Sequence, residues 1–556
     1  MIEALRSSGD TDYQVPILYS NIHANEVAAT DAVLEFVRLL IEEPTIDYTK
    51  LTGFTEEGQA ACEAQRTALG LHTPELVAGM SGYLGSIWPK ADKISGRVEG
   101  FDRYYTTEKA TVTIADLLDD VFFILVPEEN VEARMYYTRA AGCGYDLNRD
   151  NCFQTMPETQ NMQHLIGCYD PVTLVEVHGQ VDEFQVEPCT PPHEPNGEYD
   201  LLARHLMAGG EAFGAAAVAN NPEYQSYTIS MRDLMFSDGN GDVFWERVAD
   251  DMSSCYTPQF AMLHGCVGYT VELPAYSEVT RQAATYGLLG LSDYVAANKE
   301  SYFADLAEIY ARGAENRNSD AQVGPWFVDE HDNAGADALV FRPAHTGEDE
   351  NGQFFPECYL IPLDAEHQAN LQAAFDMIEW LTRNDVKVGV ASASVVADGR
   401  TLPAGTAVVS MYQAKRSVAN EALYGGIYIT DWSHLCSEGI TAFNHTRGFD
   451  MVTCVKPAEY DAIAGSVDRT LTWDSVQPFL RENAVSRFNG EKGGDVIISN
   501  ASESATAAVN TLLRSGKQVG MITEGANVGD FICAYADWQS VSDDYILTGT
   551  GVKEPD

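Results

Sequence analysis

The chain has 556 residues, 45% of them hydrophobic, and a formal charge of −49. The length exceeds what one core can organise and the composition excludes wholesale disorder. The charge excludes nucleic acid and anionic membrane as partners, since both would repel it, and the absence of any run of about 18 apolar residues excludes a membrane span.

The first 14 residues are polar, and the mostly apolar run Ile17 to Ile22 then reads as a strand leading into His23. Val27, Val33, Leu34, Val37, Leu40 and Ile41 recur mostly at three- and four-residue steps, the period of an amphipathic helix, which Pro44 ends. Residues 50–110, with Gly79, Gly82 and Gly85, read as an irregular insertion near the site. Val121 to Val126 is a buried strand stopped by Pro127, and a loop and helix follow over 130–160. Val172 to Val177 is a further strand, 179–198 a Pro-rich acidic loop, and Tyr199 to Asn220 a helix. After a mixed aromatic stretch, Val267 to Glu272 is a strand and Glu278 to Asn316 is helical, with a break expected at Gly287 to Gly290.

Residues 317–336, rich in Asn, Ser, Asp and Gly, read as a linker between a domain at 1–316 and a second, smaller α/β domain at 337–556. In that second part Val386 to Ala391, Val496 to Ser499 and Gln518 to Ile522 are strand-like, and the last two bracket an Ala-rich helix, Ser502 to Ser515. Such a strand–helix–strand unit marks an α/β class. His434, Cys436 and His445 form a loose cluster better suited to a surface or structural role than to a second metal.

Eleven cysteines without a C-x-x-C pair argue against a zinc knuckle. Cys143 and Cys152 flank Asn148 and Arg149, so a loop-closing bridge between them is conceivable beside the alternative of buried thiols. Only 11 Lys accompany 23 Arg, and with the acid excess this fits a secreted, salt-tolerant or acid-adapted protein; a secreted or cell-surface location is expected, with the cytoplasm as the alternative since no leader is visible at Met1. Solubility alone would also account for the charge.

Three apolar runs end on residues able to bind or assist zinc. Ile17 to Ile22 meets His23, with Glu26 three positions on; Leu174 to Val177 meets His178; Tyr269 to Val271 meets Glu272. Open α/β sheets build their sites at the carboxyl ends of strands, and two imidazoles, a carboxylate ligand and a spare carboxylate suit a hydrolytic zinc centre. His-x-x-Glu occurs three times, also at His72/Glu75 and His345/Glu348, but only His23 closes a strand and opens a helix. Each residue also has a plainer use: His23 as a helix cap, His178 as a core histidine, Glu272 in a buried ion pair, and Arg149 tied to Asp146 or Asp150.

The segment Asn21-Ile-His-Ala-Asn-Glu26 resembles the metal-binding segment of the M14 zinc carboxypeptidases. Thr138 to Asp150 resembles that family's Asn-Arg segment with its upstream Arg, Val175-Glu-Val-His178 the strand of its third ligand, and Thr270-Val-Glu-Leu273 the strand of its catalytic Glu. The order along the chain agrees, and the resemblance covers roughly residues 15–315. It implies a mixed, mostly parallel sheet flanked by helices, and one zinc ion held by His23, Glu26 and His178 with a position open for water. It further implies Glu272 as general base, Arg139 at the oxyanion with Arg134 as the rival, and Asn148 and Arg149 gripping a substrate carboxylate. A tyrosine covering the substrate is also implied, with Tyr256 the candidate and Tyr269 and Tyr276 nearer in sequence; Thr257 and the residues around it are candidate pocket walls. The short leader before His23 departs from the pattern and implies an altered sheet edge. The activity implied is removal of a carboxy-terminal residue from a peptide; an amide deacylase acting on N-acyl amino acids, or an inactive peptide-binding relative, are the alternatives.

Overall fold

The computed structural model describes residues 12–60, 105–181, 184–188, 194–224, 227–229, 235–237, 243–245, 253–318, 342–426 and 441–552. The Gly-rich part of the expected insertion, the His72/Glu75 pair, nearly all of the expected linker, His434 and Cys436 lie outside these residues. Two compact units divide the chain: the first lies mainly within Met1–Arg312, and the second comprises Gly313–Asn318, Ala344–Gly426 and Ile440–Asp556.

The strands of the first unit are β1 (Val15–Ser20), β2 (Thr45–Phe54), β3 (Tyr105–Thr113), β4 (Val121–Val126), β5 (Thr173–Gly179), β6 (Phe184–Pro188), β7 (Tyr227–Ile229), β8 (Met235–Ser237), β9 (Val243–Trp245) and β10 (Val267–Leu273). Six of them form one sheet in the order β4-β1-β5-β10-β6-β7. All its pairings are parallel except β10 with β6. The edge next to β1 is taken by β4, a strand that follows in sequence and not one that precedes His23.

Seven helices matter for the site: α1 (Val27–Glu42), α2 (Val131–Tyr136), α3 (Pro157–Tyr169), α4 (Tyr199–Ala219), α5 (Thr257–Met262), α6 (Glu278–Ala297) and α7 (Lys299–Ala314). Alternate residues of a strand face opposite sides. Ile17, Tyr19, Val175, Val177, Tyr269 and Val271 therefore pack with Phe36 of α1, Phe213 of α4 and Leu288 of α6. Leu18 and Leu174 turn the other way, onto Met162 and Ile166 of α3 and Ala261 of α5. Covering both faces in this way is what allows a parallel sheet to be apolar throughout.

The structure differs from the sequence expectation in several places: β6 lies within the expected loop 179–198, and β2 and β3 pair antiparallel across the ends of the expected insertion. Strand β1 stops at Ser20, so His23 sits on the turn beyond it. Helix α1 buries Ala28, Ala29, Ala32, Val33 and Phe36, while Leu34 and Ile41 face outward; small residues share its inner face with Val33 and Phe36. The helix break falls at Asn298 and not at Gly287 to Gly290. Those glycines lie inside α6, where a Cβ on Gly287 would come within 2.6 Å of the Phe213 ring and one on Gly290 within 2.8 Å of Ala212 O on α4.

In the second unit β11 (Cys358–Ile361), β12 (Val388–Ala391), β15 (Ala407–Ser410), β16 (Val452–Cys454) and β17 (Val467–Leu471) form a sheet in the order β16-β11-β15-β12-β17, beside the hairpin β13 (Val395–Ala397) and β14 (Arg400–Leu402). Strands β18 (Arg487–Gly490), β19 (Asp495–Ile498), β20 (Val519–Met521), β21 (Phe531–Ala534) and β22 (Thr548–Val552) form another, ordered β18-β22-β19-β21-β20. The strand–helix–strand stretch is β19, α8 (Glu503–Arg514) and β20, with β21 between the two strands and antiparallel to both.

Candidate metal centre

Strands β1 and β5 run side by side, Ser20 level with Glu176. Beyond β1, Asn21 holds the turn in place: its Nδ2 donates to Val177 O (2.7 Å), its N to Val126 O (3.3 Å), and its O accepts from Glu129 N (2.9 Å). Glu26 N then donates to His23 O at 2.9 Å, a tight turn that brings both side chains to one side before α1 begins. His178 lies two residues after Glu176 on β5, so both project from the same face.

These elements bring His23, Glu26 and His178 together. His23 Nδ1 is 2.9 Å from Glu26 Oε1, His178 Nδ1 is 3.0 Å from Glu26 Oε2, and the two Nδ1 atoms are 3.0 Å apart. All three residues are buried, and among the described residues they are the one His/Cys/Asp/Glu group arranged to hold a metal ion. Two imidazole nitrogens and a carboxylate converging at this spacing fit a divalent ion such as zinc, which binds such donors at about 2.0–2.2 Å.

The outer nitrogen of each ring meets a carboxylate. His23 Nε2 is 3.0 Å from Asp146 Oδ1, and His178 Nε2 is 2.8 Å from Glu176 Oε2. Such partners fix the tautomer and turn the other nitrogen towards the metal. Neither Asp146 nor Glu176 was singled out as a site residue from sequence. The signal for Glu176 was its spacing of two from His178 on a strand; that for Asp146 was its place at the head of the Asp-Leu-Asn-Arg stretch.

The charges are coupled. Burial raises the Glu26 pKa, but the adjacent His178 and His23 outweigh it and hold the carboxyl down at about 2. Burial depresses His178, yet Glu26 and Glu176 carry its pKa well above the usual imidazole range. Asp146 is lowered by His23 and Arg139 against the opposing effect of burial. Behind the centre, burial and the neighbouring Glu176 push the Glu129 carboxyl strongly upward, and burial lifts Glu128 to about 7.

Arg139 lies over the ligand set, with Nη1 3.3 Å from Glu26 Oε1 and Nε 2.9 Å from Asp146 Oδ2. Arg134, its rival, reaches Ala24 O and Asp31 instead. Asn148 and Arg149 form a 3-10 turn in which Asp146 Oδ1 accepts from Asn148 N at 3.0 Å. Thr257 N donates to Asn148 Oδ1 at 3.2 Å, and the Arg149 guanidinium stacks 4.5 Å from the Tyr256 ring centre. The carboxylate of Asp150, one of the two possible ties for Arg149, is taken up by Thr155, Thr159 and Met156 N.

Glu272 stands level with His178 on the neighbouring parallel strand and so shares its face. Tyr256 is buried, with its ring against the Arg149 guanidinium. Tyr269 points to the opposite face, donating to His205 O. Tyr276 is exposed and reaches the ligand turn: its hydroxyl donates to Asn25 O at 2.6 Å and its ring neighbours Tyr137. The conceivable Cys143–Cys152 bridge is not formed. Cys143 Sγ lies 3.7 Å from Met156 Sδ, and the sulfur facing Cys152 belongs to Cys255.

No family model matches the sequence, and no curated protein matches it. Solved structures do. A metallo-carboxypeptidase from Pseudomonas aeruginosa is 13% identical over 53% of this chain and 59% of its own, with a TM-score of 0.29. Carboxypeptidase A from Helicoverpa armigera is 14% identical over 54% and 62%, at 0.26. A succinylglutamate desuccinylase/aspartoacylase from Rhodobacter sphaeroides is 13% identical over 50% and 55%, at 0.25. The chain thus spans less than two thirds of each of these proteins. At such scores the likeness carries no functional weight, and the side-chain geometry has to speak alone.

Proposed function

We propose that this chain is a zinc-dependent metallocarboxypeptidase that hydrolyses the carboxy-terminal peptide bond of a peptide. The observation that carries the reading is the convergence of His23 Nδ1, His178 Nδ1 and the Glu26 carboxylate, each imidazole backed by a second carboxylate. A zinc ion held by these three residues supplies Lewis acidity, acidifying water and polarising a carbonyl.

The remaining roles belong to the chain. Glu272, level with His178, takes the proton of the attacking water and passes it to the leaving amine. Arg139, beside Glu26, stabilises the negative charge that develops on the carbonyl oxygen. Asn148 and Arg149 hold the substrate's terminal carboxylate. Thr257 N on Asn148 Oδ1 fixes which end of that amide is left to donate, and Tyr256 braces the guanidinium. A planar, bidentate guanidinium suits a carboxylate better than a point charge does. The acidic, Lys-poor composition supports a secreted or cell-surface location.

The test couples metal content to product. The purified chain is expected to carry one zinc and to release free amino acids from a mixed peptide library in preference to N-acyl amino acids. Glu26→Ala should lose the metal. Glu272→Gln should keep it and slow hydrolysis by about 10²- to 10⁴-fold. Zinc retained by Glu26→Ala at the parent level would remove Glu26 from the ligand set, and cleavage of N-acyl amino acids alone would replace the peptidase with a deacylase.

A further inference from the structure

Cys152 and Cys255 are 103 residues apart in sequence, and their sulfurs are 3.6 Å apart. Both side chains are buried, at 0% and 3% exposure. The backbones around them are already joined: Asn151 N and Nδ2 both donate to Cys255 O, at 3.2 and 3.0 Å. The same two segments meet again next to the sulfurs. Upstream of Cys152 stand Asn148 and Arg149; directly after Cys255 stand Tyr256 and Thr257, joined to them by the amide hydrogen bond and the stacked guanidinium.

We propose that Cys152 and Cys255 are a disulfide site, closed when the chain folds in an oxidising medium, and that the bond fastens the Asn148–Arg149 turn to the start of α5. A disulfide needs the sulfurs at about 2.05 Å. The approach still required is about 1.5 Å, which side-chain torsions supply between backbones already held together. The oxidant is a low-molecular-weight disulfide of the glutathione class. One cysteine thiolate attacks a sulfur of the oxidant and expels a glutathione thiolate. The other cysteine thiolate then attacks the protein sulfur of that mixed disulfide and expels the second. Two cysteines lose two electrons, one oxidant disulfide gains them, and the two released thiolates take up the protons given by the cysteines. Because both sulfurs are buried in the folded chain, the exchange belongs to folding, before the two segments close over them.

The consequence for substrate rests on the reading of Asn148 and Arg149 as the carboxylate grip: the bond pre-orders that grip, lowering KM more than it changes kcat. The bond itself does not depend on that reading.

The test is a peptide map of the full chain, folded either in a glutathione redox buffer or under excess dithiothreitol, alkylated in denaturant and digested without reduction. The redox-buffered sample should yield the Cys152 peptide linked to the Cys255 peptide, and the dithiothreitol sample should not. The linked chain should melt higher by about 5 °C, a gain that Cys152→Ser abolishes. A Cys358–Cys454 link would appear as a separate peptide, since those residues face each other across β11 and β16. Recovery of Cys152 and Cys255 both alkylated from the redox-buffered sample, or Cys152 linked to Cys143, overturns the proposal. The map needs neither metal nor substrate, so a linked chain that hydrolyses no peptide would count against the function alone.

Discussion

Each imidazole of the centre turns Nδ1 inward and gives Nε2 to a carboxylate, Asp146 for His23 and Glu176 for His178. Glu176 is fully buried, so no water can replace it when it is changed. Glu176→Gln keeps the shape but removes the charge that raises the basicity of His178. Metal affinity should fall by about 10- to 100-fold, read by competition with a chromophoric chelator; unchanged affinity would make this partner dispensable. At this scale the sequence was legible where residue type and spacing are rare together. His23, Glu26 and His178 stood at apolar runs and do converge. The supporting acids were not legible, because 83 Asp and Glu offer too many candidates for a partner that only tertiary folding selects. Arg139, favoured over Arg134 on motif spacing, is the one beside Glu26; Arg134, inside α2, reaches Asp31.

Elements were legible where burial imposes a period. Strands β4, β5 and β10 lie within a residue or two of their expected positions, since fully buried strands read as unbroken apolar runs. Helix α1 was found and Val33 and Leu40 of its expected apolar face pack on the core, but Leu34 and Ile41 do not and Ala28, Ala29 and Ala32 do, because an Ala pattern carries less signal than Leu and Ile. Glycines in α6 suggested a break, whereas they permit α6 to approach α4 closely. Gly290→Ala tests this directly. Its Cβ would meet Ala212 O at 2.8 Å and the Ala216 methyl at 2.5 Å, neither of which is the end of a flexible side chain. Despite the better helix propensity of Ala, stability should drop by about 1–3 kcal/mol, measured by denaturant unfolding. A neutral or stabilising result would show that the two helices can separate freely.

For the molecule as a whole the dominant quantity is the charge of −49. Like charges at this density oppose compaction, and salt relieves them by shortening the screening length from about 10 Å at 0.1 M to about 3 Å at 1 M. The thermal midpoint should therefore rise by several degrees between those concentrations of sodium chloride, and a flat or falling midpoint would mean that opposite-charge pairs dominate. A division of labour is also built into the first unit. His178 and Glu272 stand on strands β5 and β10, whereas His23, Glu26, Arg139, Asn148, Arg149 and Tyr256 lie on the segments between elements. Replacing the segment beyond β1 would therefore take away two of the three converging side chains at once, while β5 alone keeps His178 in place.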